Sequence, residues 1–240
     1  MKFPAPLKRG RLVRRYKRFL ADVFLDDGGA VTVNCPNTGS MLGLTDPGSV
    51  IWLSESDKAT RKYRYTWEMI EADLGAGPTL VGINSGHPNR IVAEAIAAGE
   101  IEELAGFASL RREVRYGEAS RIDILLEDAK RGAAYVEIKN VHLSRRHGLA
   151  EFPDCVTERG AKHLRELICM VREGHRAVMV YLIQRGDADR FELARDLDPG
   201  YATAFAAATA AGVEAVAYRC RVEPEGIEIE SRVPIVGVKG

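Results

Sequence analysis

The apolar residues of this chain change their rhythm once, and that change limits the folds open to it. Through residue 84 they fall in five short stretches, "RFLADVFL", "AVTVNCP", "SVIWLSE", "YRYTWEMIEA" and "TLVGIN", each carrying β-branched or aromatic residues. Turn-rich pieces such as "DDGG", "NTGSMLGLTDPG" and "LGAGP" separate them, which is the spacing of a small all-β unit. The pattern predicts a five-stranded OB-like barrel over residues 1–83, although an SH3-like barrel would look much the same. After "NSGHPN" the period becomes helical, with Ile91, Val92, Ala95, Ile96 and Leu104 recurring along "RIVAEAIAAGEIEEL". Strand and helix patterns then follow in the order α–β–β–β–α–β–α–β–β, a mixed α/β domain over residues 84–240.

Formal net charge is zero, so attraction to an anionic polymer has to come from local asymmetry. Residues 1–65 hold 12 Lys and Arg against 6 Asp and Glu, and "KRGRLVRRYKRF" concentrates seven of the basic side chains. Cys35, Cys155, Cys169 and Cys220 form no CxxC pair, which argues against a zinc ribbon or a disulfide framework and for reduced thiols in a cytosolic protein. No stretch approaches the roughly 20 apolar residues that cross a bilayer, so a cytoplasmic location without a membrane partner is expected. The sequence also lacks GxxxxGK[ST], a strand-borne GxGxxG and a GxSxG elbow, leaving nucleotide hydrolysis, dinucleotide redox and serine hydrolysis without support.

Charged residues interrupt two apolar runs in "RIDILLEDAKRGAAYVEIKNV". Strand alternation puts Ile122, Ile124 and Leu126 on one face, with Arg121, Asp123 and Leu125 on the other. By the same rule Glu137 and Lys139 share a face opposite Val136 and Ile138. If the two runs form a hairpin around "EDAKRGA", Asp123 and Glu137 become cross-strand neighbours. Two such carboxylates cost folding energy unless a cation joins them. Mg²⁺, or Mn²⁺ in its place, suits one or two carboxylates plus water and phosphate, which Asp123, Glu137 and the carbonyl of Ile138 would supply. Lys139 would orient a water or neutralise charge as a phosphodiester breaks. The plain alternative is a solvated Glu-x-Lys face with cross-strand ion pairs.

Asp123 followed by Glu137-Ile138-Lys139, between one helix and a later strand-to-helix step, resembles the PD-(D/E)xK nuclease core. Together "NTGSM", "GINSGHPN", "VEIKNV", "FPDCVTERGAKHLREL" and "AVMVYLIQR" resemble the sugar fermentation stimulation protein (SfsA) family over essentially the full length. The resemblance implies an OB-like domain joined to a nuclease-like domain, with DNA as the bound partner. It also implies Asp123, Glu137 and Lys139 as the central motif and Glu94 as the acid of the first helix, with Glu100, Glu102 and Glu103 competing for that role. Arg159, Lys162 and His163 fall where related nucleases keep a polar helix face beside the metal. The proline of the motif's name is missing, Ile122 standing before Asp123.

For nucleic-acid contact, Arg11, Arg14, Arg15, Lys17 and Arg18 are placed just before the first barrel strand, facing phosphates. Arg61, Lys62 and Arg64 interleave with Tyr63, Tyr65 and Trp67, and Tyr16 and Phe19 lie among the earlier basic residues. Such rings stack on unpaired bases or fill a core, and core is the reading for Trp67 and Phe19. Arg145 and Arg146, in "LSRRHG", form a phosphate-facing loop or plain surface; His142 and His147 flank them without the clustered third ligand of a zinc site. Single- or double-stranded DNA is the expected partner, with RNA a further one because OB-type surfaces accept either polymer. The functions left open are a metal-dependent nuclease and a non-catalytic DNA-binding or regulatory protein on a relic nuclease fold.

Overall fold

The computed structural model of the chain describes residues 1–58, 60–117 and 120–237. Six strands open it: β1 (Lys8–Tyr16), β2 (Leu20–Leu25), β3 (Ala30–Asn34), β4 (Val50–Glu55), β5 (Tyr65–Asp73) and β6 (Pro78–Gly82). Their order is β3-β2-β1-β4-β5-β6, and a further parallel pairing of Asn34 with Thr66 joins β3 to β5. A closed five-stranded ring of OB type results, with β6 added to β5 outside it. Inside lie Leu12, Val23, Val33, Ile51, Leu53 and Trp67, all fully or nearly buried.

The closing strand is the basic segment itself. Arg11, Arg14 and Arg15 do not precede the first strand but form β1, while Lys17 and Arg18 make the β1–β2 turn. The five stretches expected from the sequence correspond to β2 through β6. In β1 the inward positions fall to Gly10 and Leu12, so apolar residues alone do not mark it. Gly10 is required there: a Cβ would lie 2.6 Å from the carbonyl oxygen of Phe24. Phe19 corrects the core reading, being 47% exposed at the end of the turn, whereas Trp67 is fully buried.

The second part runs α1 (Pro88–Ala98), β7 (Ser109–Tyr116), β8 (Ser120–Asp128), β9 (Gly132–Val141), β10 (Leu143–Arg146), β11 (Gly148–Phe152), α2 (Glu158–Arg172), β12 (Arg176–Ile183), β13 (Ala188–Leu193), α3 (Pro199–Ala210), β14 (Glu214–Glu223) and β15 (Gly226–Val233). Its main sheet is ordered β15-β14-β12-β9-β8-β7, and β10-β11-β13 form a smaller sheet beyond the strands expected from the sequence pattern. At the centre β12 runs parallel to both neighbours and is buried along almost its whole length, as parallel strands covered on both faces must be. One face packs Met179, Tyr181 and Ile183 against Leu164 and Leu167 of α2 and Phe205 of α3. The other packs Val136, Ile138, Val178 and Val180 against Ile91 and Val92 of α1. Caps fix both helices beside the first face: Thr157 accepts from Gly160 N, and Asp198 from Tyr201 N.

A polar seam joins barrel and sheet. Asn37 Nδ2 donates to the Ile83 carbonyl at 3.1 Å, Ser85 Oγ to that of Pro36 at 2.6 Å, and the Met41 amide to Asp154 Oδ2 at 2.7 Å. Gly82 N donates to the Gln184 carbonyl at 2.8 Å, and fully buried Arg185 to that of His142 at 2.9 Å. Arg15 organises the barrel side, donating to the carbonyls of Arg18, Asn37, Gly39 and Ser40. Its charge is therefore engaged by backbone. Arg15→Ala leaves these carbonyls short of a donor and is expected to lower stability by about 2–3 kcal/mol, against under about 1 kcal/mol for exposed Arg14→Ala. Urea denaturation of the two variants measures the contrast, and equal losses would contradict the structural role of Arg15.

Candidate active site

Strands β8 and β9 form the expected hairpin, with Ile124 opposite Val136 and Leu126 opposite Ala134. The ladder stops at Ile124. Beyond it the Asp123 side chain fills the gap, its Oδ2 accepting the Ile138 amide at 2.7 Å. On a strand the N–H and C=O of one residue point the same way, so the Ile138 carbonyl opens toward this gap too. The expected common face of Ile122, Ile124 and Leu126 is not kept. Ile122 packs on the α2 side, and Ile124 and Leu126 on the α1 side. On β7 the same swap separates Leu110 from Val114, and between them Glu113 has φ 54°. Pairing skips Glu113 and Asp123 together.

Glu137 and Lys139 share the α2 face, as alternation requires. Lys139 Nζ donates to Glu137 Oε1 at 2.8 Å and lies 3.3 Å from His163 Nδ1, which also contacts that oxygen. Arg159 Nε donates to His163 Nε2 at 3.3 Å, on the side of the ring opposite the Nδ1 that faces Glu137. Lys162 lies 3.6 Å from Glu166, whose Oε1 accepts from Ser120 Oγ at 2.8 Å. Glu113, Ser120, Arg121, Asp123, Arg159, Lys162 and His163 line one cavity of about 450 Å³.

The two acids have different electrostatic fates. Burial, then the Glu137 charge, pushes Asp123 up to about 6 despite the hydrogen bonds from Ile138 and Asn89. Burial acts upward on Glu137 as well, but His163 and Lys139 outweigh it and hold its carboxyl below the usual range. Glu137 Oε2 is buried with no partner, on a side chain 3% exposed. An orphaned carboxylate oxygen, a raised neighbouring acid and a carbonyl turned to the same gap suit a divalent cation. Among the described residues no three His, Cys, Asp or Glu form a ready-made metal cage.

Several sequence candidates do not join this cluster. Glu94 pairs with Arg90 at 2.6 Å and with the Met1 amino group at 3.1 Å. That amino group is bound to Ile227 on β15, at the sheet edge away from β8. Helical spacing put Glu94 on an exposed turn rather than over the hairpin. Arg145 is no free phosphate contact: Glu151 and Asp196 hold it, and β10–β11 is a hairpin rather than a loop. Arg146 pairs with Glu192, Arg14 with Asp22 and Arg64 with Glu55. Arg61 donates to Thr66 Oγ1, Lys62 lies over Tyr63, and Arg11 donates to the Gly48 carbonyl. Asn89, Glu113, Ser120 and Glu166 belong to the site without having been singled out. Pro88 at the helix start was the one available signal, since it fixes Asn89 in the first turn.

This arrangement of sheet, flanking helices and strand-borne Asp…Glu-x-Lys on a barrel-bearing chain is the nuclease-like class of α/β fold. The family model described as SfsA N-terminal OB domain matches residues 13–83, and that of the sugar fermentation stimulation protein RE domain matches residues 86–226. The chain belongs to the sugar fermentation stimulation protein (SfsA) family. It is 59% identical over 237 residues to the sugar fermentation stimulation protein homolog of Azorhizobium caulinodans, covering 99% of this chain and 100% of that one. For the homolog of Sinorhizobium medicae the identity is 62% over 224 residues, covering 93% and 92%. Among solved structures, SfsA of Pyrococcus furiosus in complex with Ca²⁺ superposes with a TM-score of 0.86 at 30% identity, covering 98% of this chain and 97% of that one. Among the described residues no helix is long and apolar enough to cross a membrane.

The raised Asp123 gives a pH-dependent prediction. An unfolded aspartate titrates near 3.9, so as pH rises from about 4 to 6 the unfolded chain has lost a proton that folded Asp123 still holds, and stability falls through that window. Above about 6 the whole deficit is present, about 3 kcal/mol. Asp123→Asn keeps the acceptor for Ile138 N and is expected to stabilise the metal-free protein by up to that amount at about pH 7, with no gain at about pH 4. Denaturation of both proteins at the two pH values measures it. Equal stability at neutral pH would show that Asp123 carries no such penalty.

Proposed function

We propose that the chain binds DNA and hydrolyses its phosphodiester backbone at the Asp123–Glu137–Lys139 site with Mg²⁺ or Mn²⁺. The observation that carries this is the unpartnered, buried Glu137 Oε2 beside an Asp123 carboxyl pushed up to about 6. A buried acid pair of this kind is comfortable when a divalent ion neutralises it. The Ca²⁺ complex of the Pyrococcus furiosus relative supports divalent binding at this fold. Asp123, Glu137 and the Ile138 carbonyl would hold the ion, which when bound supplies Lewis acidity to the phosphoryl group. Lys139, anchored at 2.8 Å on Glu137 Oε1, is placed to orient a water and to neutralise charge developing on the phosphate. Arg159 and Lys162, on the cavity wall, meet the phosphates that flank the reacting one.

A second reading has its own support. Lys139 already offsets the Glu137 charge and His163 contacts the same carboxylate oxygen, so Glu137 has a compensated state without any ion. In that reading the chain binds DNA through its basic surface and cleaves nothing. Incubating circular double-stranded and linear single-stranded DNA with Mg²⁺, Mn²⁺ or chelator separates the two, with a matched RNA strand as competitor. The expected outcome is metal-dependent cleavage, lost in Glu137→Ala and reduced about 10²–10⁴-fold in Lys139→Ala with DNA affinity retained. Cleavage that survives Glu137→Ala would remove this cluster from the chemistry.

Binding has a separate test. Phosphate contacts release counterions, so affinity falls with salt, and each lost contact lowers the logarithmic slope by about 1. Lys17 and Arg18 are exposed at the β1–β2 turn, next to exposed Phe19. Arg18→Ala is expected to flatten the salt dependence by about that amount and Lys62→Ala to do the same, both measured by fluorescence anisotropy. A slope unchanged in both variants would take the barrel out of the interface.

A further inference from the structure

The nuclease-like motif leaves Glu113 without a role, yet the fold brings it to the site. Its Oε1 accepts from Asn89 Nδ2 at 2.8 Å, and the same nitrogen donates to Asp123 Oδ1 at 2.9 Å. One amide therefore holds a carboxylate from β7 within a few ångströms of a carboxylate from β8. Glu113 and Asp123 line the same cavity. They also occupy the two positions skipped in the β7–β8 ladder, where both strands exchange faces. Glu113 does this with φ 54°, a conformation in which its Cβ is crowded and which glycine would adopt freely.

A buried polar atom close to this pair lacks a partner: Glu137 Oε2, on a side chain 3% exposed, next in β9 to Ile138, whose amide the Asp123 carboxylate accepts. Unsatisfied polar atoms at such depth mark a place that takes a polar ligand. The first-helix acid Glu94 is engaged by the amino terminus and does not supply a third negative group.

Resting on the metal-dependent reading above, we infer that Glu113 is the third acidic partner of the divalent cation held by Asp123 and Glu137, with Asn89 positioning it. Glu113 acts on the ion's water shell rather than completing a rigid cage, in keeping with its exposed position at the cavity rim. Asn89 contributes by fixing two carboxylates from different strands at one nitrogen, an outer-shell task that tunes affinity.

Mn²⁺ binding to the full chain, followed by electron paramagnetic resonance of the free ion and by calorimetry, tests this without reference to cleavage. Glu113→Gln is expected to weaken Mn²⁺ binding about 10–100-fold. Glu113→Gly is expected to show the same loss with an unchanged or higher melting temperature, because glycine relieves the left-handed backbone; this variant keeps misfolding from imitating the result. Glu137→Ala should lose the site. Glu113 variants that bind like the parent, while Glu137→Ala does not, would overturn the role of Glu113 and leave the metal site standing. A parent that binds no Mn²⁺, or a Glu137→Ala variant that binds as well as the parent, would overturn both.

Discussion

A carboxylate buried as deeply as Glu137 is several kcal/mol out of its element unless positive charge and hydrogen-bond donors meet it there. Lys139 meets it from the same strand two residues on, and His163 meets it from α2. The second of these couples site to fold, because His163 reaches Glu137 only if α2 lies across β9 at the height its cap and core contacts set. Thr157 starts the helix, Leu164 and Leu167 seat it on Tyr181 and Met179, and Asp198 ties the α2 entrance to that of α3 through the Thr157 amide at 2.7 Å. Packing of apolar residues thus sets where a charge is compensated. Compensation in turn holds a polar group inside what would otherwise be a dry sheet–helix interface.

Asp123 is kept by a different device. A regular β8 would continue pairing with β9 past Ile124 and leave no room for a side chain to reach the Ile138 amide. The interruption at Glu113 and Asp123 opens the sheet locally, swaps the faces of both strands and turns backbone groups of Ile138 toward the opening. Irregularities of this sort re-aim side chains next to sites where polar groups must converge. The same interruption explains why a single strand can supply Ile122 to one core and Ile124 to the other. Here the local break does not weaken the fold, since the two hydrophobic faces remain filled on either side of it.

Alternation made half of this legible in the sequence. The period of two in "AYVEIKNV" places Glu137 and Lys139 together and Val136 and Ile138 opposite, and the structure keeps both faces. It fails in "RIDILL" because the face swap depends on Glu113, ten residues away, whose backbone conformation carries no compositional mark. β1 escaped notice for a related reason: with Gly10 and Leu12 as its inward residues, an arginine-rich strand looks like a charged leader. Its pairing on both sides, with β2 and β4, is a tertiary fact. Glu94 shows the limit of helical spacing, which gives a face but not the element that the face meets. The "NTGSM" and "NSGHPN" segments turn out to be joined across the domain seam, where Asn37 bonds the Ile83 carbonyl and Ser85 that of Pro36.

The basic residues divide along that seam, and the division bears on how the barrel would serve the cavity. Arg15 is consumed by four carbonyls and Arg145 by two acids, so the positive charges most deeply built into the structure are those least available to phosphate. Lys17 and Arg18 stay exposed beside Phe19. Arg15 bonds the carbonyls of both Arg18 and Ser40, and the Met41 amide bonds Asp154, so the β1–β2 turn is tied through this segment to the loop that leads into α2. Val156, 67% exposed, lies on that loop, and Arg159 of the cavity wall follows three residues later. On the DNA-binding reading proposed above, phosphates running from the turn across this loop to the cavity would meet positive charge at both ends and exposed Phe19 and Val156 between. Barrel and sheet need a rigid seam for that register to hold. The buried Arg185 anchor and the Asp154–Met41 contact provide it, with the Asp154 carboxyl kept at about 2 by His142 and the Met41 amide against the upward pull of burial.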